Sequence, residues 1–305
     1  MTLLVTGAAG LIGWEVVKQL AAAGEKVIAS DVRPPAAALP DGVTFAGCDI
    51  SIFNEFLDMV RECKPTRIYH FAAMLTGLAE ERHQLAFQVN VVGAHNVLEA
   101  ARICAVPQVL YVSSNGIYGR DLAEVIDDYS LQRPNTFYGC SKVFGENLGR
   151  WYQDRFKLDF RTIRYPLIIA PGDRAAYHWV APMIEDALVG RPHLCVEGVS
   201  GSNAHMMTVT DAARAAIALA AAPREQLKTY CYSVLGVPRP VMATEMAAEL
   251  EKLYPGFKVE FAKKPSRQPP VRRFSDKYAR EEWGWQPAQD DIGKVVAEFA
   301  VRIKN

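Results

Sequence analysis

Thr6-Gly7-Ala8-Ala9-Gly10-Leu11-Ile12-Gly13 separates an apolar triplet, Leu3-Leu4-Val5, from a helical pattern that runs from Leu11 to Ala23 and stops at Gly24. Few folds accommodate a buried strand that turns through three glycines into a helix. The first glycine permits a tight turn, the second lets the backbone approach a ligand, and the third lets helix lie close on strand. The helix N-terminus then offers unpaired N–H groups and a positive dipole end to an anion. Here those positions are Gly7, Gly10 and Gly13, spaced GxxGxxG rather than the commoner GxGxxG. A purely structural turn is the alternative, and the rest of the chain argues against it.

Lys26–Ser30 and Phe45–Gly47 read as strands, Phe53–Cys63 as a helix, Arg67–Phe71 as a strand and Gln84–Cys104 as one long helix. Val109–Ser113 reads as a strand, Tyr138–Phe156 as a helix and Asp159–Arg164 as a strand. This alternation predicts an α/β fold, a doubly wound parallel sheet of Rossmann type. Past Pro166 the rhythm breaks into shorter elements, with an Ala-rich helix at Ala212–Ala222 and prolines at 238, 240, 255, 265, 269 and 270. The expected division is a dinucleotide-binding domain of residues 1–167 plus 209–235, and a small C-terminal α/β substrate lobe of residues 168–208 plus 236–305.

Among the 305 residues, 34 basic and 34 acidic side chains cancel. A zero balance gives no general attraction to nucleic acid or to an anionic membrane, so neither is expected as a partner. No apolar run approaches the roughly 18 residues of a membrane span. The strand at Leu3 leaves no room for a signal peptide, and a cytoplasmic protein with reduced thiols is expected. Cys48, Cys63, Cys104, Cys140, Cys195 and Cys231 form no CxxC pair, and none stands beside a histidine at ligand spacing, so no metal is expected.

Asp31 ends the second strand. A carboxylate there can bind both ribose hydroxyls and repels a 2′-phosphate, which favours NAD over NADP. Arg33, two residues on, works against that preference, and a solvated strand-end acid is the alternative for Asp31. Tyr138-Gly139-Cys140-Ser141-Lys142 opens a helix, where residues four apart share a face. A phenol near its reference pKa of about 10 is a poor base at neutral pH. A neighbouring ammonium stabilises the phenolate, which makes Tyr138 a candidate acid/base; a surface Tyr/Lys pair is the other reading. Upstream, Val112-Ser113-Ser114 closes a strand, and a hydroxyl there can bond a substrate oxygen that gains or loses a proton. His70 reads as a satisfied core or turn histidine, and Cys140 needs no nucleophilic role.

Taken in order, TGAAGLIG, SDVRPP, CDI, HFAAM, VNVVGAHNVLEAA, VSSNGIYG, YGCSK and RYP resemble the extended short-chain dehydrogenase/reductase family, also called the NAD-dependent epimerase/dehydratase family. The resemblance covers nearly the whole chain. It implies Ser114 as substrate hydroxyl partner, Tyr138 as base and Lys142 on the nicotinamide ribose. It implies Gly7, Ala9, Gly10, Leu11, Ile12, Gly13 and Asp31 as the cofactor cradle, with Asp49 and Ile50 near the adenine. Phe71, Ala72 and Ala73 would line the cofactor cleft, Asn90 would steady the helix beside the site, and Tyr165, Pro166 and Ile168 would lie near the nicotinamide. It also implies a homodimer built on the long helices, through residues such as Phe87, Val91, Phe144, Leu148 and Trp151; packing of these on their own sheet is the alternative.

Within the family, dehydratases carry acids after the hydroxyl residue. Asn115 and Gly116 stand there instead, and neither can act as a general acid. Where sugar-nucleotide enzymes commonly place a diphosphate-gripping arginine, this chain has His205, which argues against a nucleotide-sugar substrate; Arg174, Arg191 or Arg239 as a substitute cation is the alternative. The segments around Ala72–Glu80, Thr162–Pro166 and Glu282–Pro287 resemble short-chain L-threonine dehydrogenases and sugar-acid dehydrogenases. The expected activity is NAD-dependent oxidation of a secondary alcohol on a sugar, sugar acid or hydroxy acid, with Thr76, Ser114, Arg174 and His205 as substrate candidates. A sugar epimerase using tightly bound NAD is the alternative. A catalytically silent dinucleotide-binding regulator is disfavoured because Tyr138 and Lys142 are both kept.

Overall fold

The computed structural model describes residues 1–119, 123–172, 179–195, 203–261 and 272–304. Arg174, Pro265, Pro269 and Pro270 lie outside them. The first half alternates strand and helix: β1 (Thr2–Thr6), α1 (Leu11–Ala22), β2 (Lys26–Asp31), β3 (Val43–Gly47), α2 (Phe53–Cys63) and β4 (Arg67–His70). There follow α3 (Thr76–Glu81), α4 (His83–Ala86), a π-helical stretch Phe87–Val92, α5 (Gly93–Ile103), β5 (Gln108–Ser114), β6 (Val125–Ile126), α6 (Phe137–Phe156) and β7 (Asp159–Tyr165). The remainder is β8 (Leu167–Ile169), α7 (Val180–Leu188), β9 (His193–Cys195), β10 (Asn203–Ala204), β11 (Met206–Thr208), α8 (Val209–Ala221), β12 (Cys231–Ser233), β13 (Val241–Met242), α9 (Ala243–Leu253), β14 (Val259–Phe261), β15 (Arg273–Phe274), α10 (Lys277–Trp283) and α11 (Ile292–Lys304).

Seven parallel strands form the main sheet in the order β12-β7-β5-β4-β1-β2-β3. The direction of winding reverses between β1 and β4, which opens a crevice at their C-terminal ends. Both faces of the sheet are covered, and the two-residue period of a strand shows in the sorting of side chains. Leu3, Val5, Leu110 and Val112 pack on one face with Val16, Val17 and Leu20 of α1 and the alanines of α8. Leu4, Ile68, Val109 and Tyr111 pack on the other with α2 and α5. A separate core of α7, α9 and α11 builds the lobe around Met183, Ile184, Met246, Val295 and Phe299. Ala279 and Trp285, in the stretch expected to belong to the lobe, pack instead with the sheet's first core.

The long helix expected over Gln84–Cys104 is interrupted. Its middle turns, Phe87–Val92, widen to the π-helical repeat. Asn90 lies within these turns, a buried amide hydrogen-bonded to the Met74 backbone and to Ser141. An extra residue in the turn lets that side chain point inward, a form of helix often found beside functional sites.

Candidate active site

The glycine turn sits at the crevice, and its geometry demands the residues present. Gly7 has φ +69°, and a Cβ there would lie 2.5 Å from the backbone nitrogen of Ala72. At Gly13 a Cβ would lie 2.2 Å from the carbonyl oxygen of Gly7. Both spaces are closed by backbone, so nothing flexible can yield. Helix α1 has no side-chain cap and no acid in its first turn, so its N-terminal N–H groups are open to an anion. Asp31, at the end of β2, accepts the Ala9 N–H at 3.1 Å, which fixes a carboxylate at the edge of the turn. These residues fit a dinucleotide: a backbone cradle for the pyrophosphate, with a carboxylate beyond it for ribose hydroxyls.

Beside the cradle a cleft of about 360 Å³ is lined by Gly7, Gly10, Leu11, Ile12, Gly13, Phe71, Ala73, Thr76, Ser114, Tyr138, Lys142, Tyr165 and Ile168 among others. Residues singled out from sequence thus meet on one surface, although they come from the ends of β1, β4, β5 and β7 and from α1, α3, α6 and β8. Others do not reach it. Asn96 anchors the carbonyl of Ile50, whose side chain is buried in the core beside α5. Asp49 accepts the N–H and hydroxyl of Ser51. Ala72 packs against the same core, its backbone set against Gly7.

His205, expected near the substrate, lies outside this cleft lining. It is 8 % exposed, Nε2 donates to the Arg272 carbonyl at 2.7 Å, and the ring meets Phe274 edge-on. Burial lowers its pKa, so it serves as a neutral donor between lobe strands. His70 is likewise enclosed. Nδ1 lies 2.8 Å from Thr6 Oγ1, and burial, then the charge of Lys142, push its pKa down to about 3.

Helix α6 begins at Phe137 because Thr136 caps it, its hydroxyl accepting the Gly139 N–H at 3.0 Å. That start places Tyr138 and Lys142 one turn apart on the buried face. Lys142 Nζ donates to the Val112 carbonyl at 2.7 Å and lies 4.9 Å from the Tyr111 ring centroid and 5.6 Å from that of Tyr138. Burial pushes this ammonium down to about 7, with Glu146 one turn further opposing the shift. Ser114 Oγ accepts the Gly116 N–H at 3.0 Å, which leaves its own proton to donate into the cleft. Asn90 joins the wall to this helix: it accepts the Met74 N–H and donates to the Met74 carbonyl and Ser141 Oγ, while Ser141 donates to the Tyr138 carbonyl.

Sequence reading missed two features. Asn115 stands out in the sequence only as the lack of an acid, yet it lines the cleft with both amide atoms buried and unpartnered among the described residues. Arg164 is fully buried and forks onto Glu146 of α6 at 2.9 and 2.7 Å, with its other nitrogen on Tyr118 Oη and the Asp128 carbonyl. No local pattern announces that pair, since β7 and α6 each carry other charges.

A doubly wound sheet with a glycine cradle at its switch point defines a dinucleotide-binding protein. The chain belongs to the NAD-dependent epimerase/dehydratase family, whose model matches residues 3–234. It is 30 % identical over 298 residues to mitochondrial L-threonine 3-dehydrogenase of Sus scrofa, covering 93 % of this chain and 78 % of that one. The holo form of a GalE-like L-threonine dehydrogenase from Cupriavidus necator superposes with a TM-score of 0.90 at 28 % identity, over 99 % of this chain and 100 % of the other. UDP-glucose 4-epimerase of Thermus thermophilus, in complex with NAD, superposes with a TM-score of 0.79 at 28 % identity, over 98 % and 99 %. The chain is accordingly an NAD-dependent enzyme of the dehydrogenase and epimerase type.

Proposed function

We propose that this enzyme oxidises the secondary alcohol of a small polar substrate, a hydroxy acid, sugar or sugar acid, through Ser114, Tyr138 and Lys142. The observation that carries the reading is the buried Lys142 ammonium held beneath the Tyr138 ring in the cleft that Ser114 also lines. Ser114 donates to the substrate oxygen, and the Tyr138 phenolate accepts its proton. Lys142 steadies the phenolate by charge and is in turn fixed by Val112. NAD, when bound, would supply the acceptor for the hydride from the same carbon, which would make the product a ketone. Holding donor, acceptor and substrate carbon in line contributes through orientation. Gly7, Ala9, Gly10, Leu11, Ile12 and Gly13 would hold the pyrophosphate, and Asp31 would hold the adenosine ribose. Thr76 and the unpartnered amide of Asn115 are the polar groups available to the rest of the substrate.

The L-threonine dehydrogenase relatives favour a β-hydroxy acid, and the epimerase neighbour keeps a second reading in view, inversion of a sugar carbon with NAD regenerated in each cycle. Incubation with excess NAD and a panel of β-hydroxy amino acids, aldonates, uronates, free sugars and UDP-sugars separates them. NADH formed in step with product supports the dehydrogenase; product without NADH supports the epimerase. Tyr138→Phe should lose turnover by about a thousandfold or more while NAD still binds. Full activity in that variant overturns the reading.

The assembly we propose is a homodimer across α6 and the helix beside it. Phe87, Phe144 and Trp151 are 44, 42 and 51 % exposed rather than packed on their own sheet. Trp151→Glu should then shift the sedimentation coefficient to that of a monomer. The free state of the six cysteines supports a reducing, cytoplasmic setting.

A further inference from the structure

We infer that Glu80 is a positioning residue that clasps the Thr76-bearing wall of the cleft to the start of the Tyr138 helix; the inference rests on the proposed role of Tyr138.

A helix start needs acceptors for its first N–H groups. The usual arrangement adds a Glu or Gln three residues after the cap. Helix α6 lacks one: Thr136 is the cap, Gly139 occupies the third position, and the first turn has no acid. The carboxylate comes instead from the neighbouring helix α3. Glu80 Oε1 accepts the Phe137 N–H at 2.6 Å and lies 3.4 Å from the Tyr138 nitrogen. Glu80 lies in the last turn of α3, the same short helix that opens with Thr76 on the cleft wall.

Two further contacts make this a clasp and not a lone cap. Asn90 fastens the preceding residue stretch, at Met74, to Ser141 of α6. Between the two fastenings, Ala79 and Ala86 form a small apolar cluster with the Tyr138 ring, Met74 and Phe137, separate from the main cores. The wall that faces substrate and the phenol that faces substrate therefore share one local packing unit. Glu80 is its outer polar tie, and the only one of these groups at an exposed position. Release of that tie frees Thr76 relative to Tyr138 without touching the glycine cradle.

The test compares Glu80→Ala, Glu80→Gln and the parent, each saturated with NAD. For Glu80→Ala, kcat/KM is expected to fall by about tenfold or more through loss of alignment, with the NAD dissociation constant unchanged. Glu80→Gln keeps an acceptor oxygen and is expected to recover most of the loss. Amide exchange in peptides covering residues 74–86 and 136–142 is expected to quicken together in Glu80→Ala. Unchanged exchange in both peptides overturns the clasp, and this arm reads out even if no alcohol is turned over. Faster exchange or a lower Tm with unchanged kcat/KM reduces Glu80 to a structural cap and overturns the positioning role. If Tyr138→Phe keeps full activity while exchange still responds to Glu80→Ala, the proposed function fails and the clasp stands.

Discussion

At single residues, the site combines two kinds of constraint that substitutions should separate. Gly13 is fixed by space: a methyl would strike the Gly7 carbonyl, which is backbone on both sides. Gly13→Ala should destabilise the fold by about 1–3 kcal/mol, as overpacking does, and weaken NAD binding in a fluorescence titration. Lys142 is fixed by charge. Its folded value, about 7, lies below that of an unfolded lysine. The folded chain therefore holds this proton less tightly, and the buried charge opposes folding below that value, a penalty relieved as pH rises. Lys142→Met should accordingly gain stability over the parent at about pH 6, with the advantage shrinking by about pH 9, while turnover collapses. Denaturant unfolding at both pH values, beside an activity assay, checks it. The residue types of this pair were legible in the sequence through their four-residue spacing. The displaced pKa was not, because it comes from burial beneath Tyr111 and Tyr138.

At the level of elements, strands and helices of the nucleotide half follow the pattern in the chain to within about two residues, the ordinary uncertainty of helix ends. The exceptions are α3 and β12, which the pattern did not announce, α8, which starts three residues earlier than expected, and the helix through Asn90. For this last helix, apolar periodicity predicts a continuous α-helix, whereas the amide within its π-helical turns has partners at Met74 and Ser141, sixteen and fifty-one positions away. Asn90→Ala removes three hydrogen bonds and leaves the Met74 backbone short of partners. A loss of about 2–4 kcal/mol is expected, visible in thermal unfolding, with a rise in KM as the Thr76 wall loosens.

Across the whole molecule, the buried charges of Arg164, Glu146 and Asp128 tie the sheet, helix α6 and the segment leading into that helix together. Arg164 lies on β7, Glu146 on α6, and Asp128 precedes α6 just after the β6–β15 pair. Asp128 accepts the Ser233 N–H of β12 at 2.6 Å. Glu146→Gln leaves the Arg164 charge poorly compensated, and a loss of about 3–5 kcal/mol is expected by denaturant unfolding. Burial pushes the Asp128 carboxyl up to about 6. Since the folded form holds that proton more tightly than the unfolded one, its contribution is favourable at low pH and is lost as pH rises through that value. Asp128→Asn keeps the acceptor for Ser233, so its stability relative to the parent should rise over the same window. Unfolding midpoints that keep a constant difference across the window would contradict this assignment.

The sequence by itself determined the Rossmann topology, the glycine cradle, NAD as cofactor and the Ser114, Tyr138 and Lys142 candidates. Topology and cradle are local matters: a strand period, a helix period and a turn that only glycine can make. NAD and the three candidates came from Asp31, the four-residue Tyr138–Lys142 spacing and the family resemblance. Tertiary structure decided which of those candidates share the cleft and which do not. It took His205 away to the Arg272 carbonyl and buried the Ile50 side chain. It also brought Glu80 to a helix start fifty-seven residues later in the chain. Hydrogen-bond partners and burial are set by folding across such distances, and no spacing within a segment encodes them.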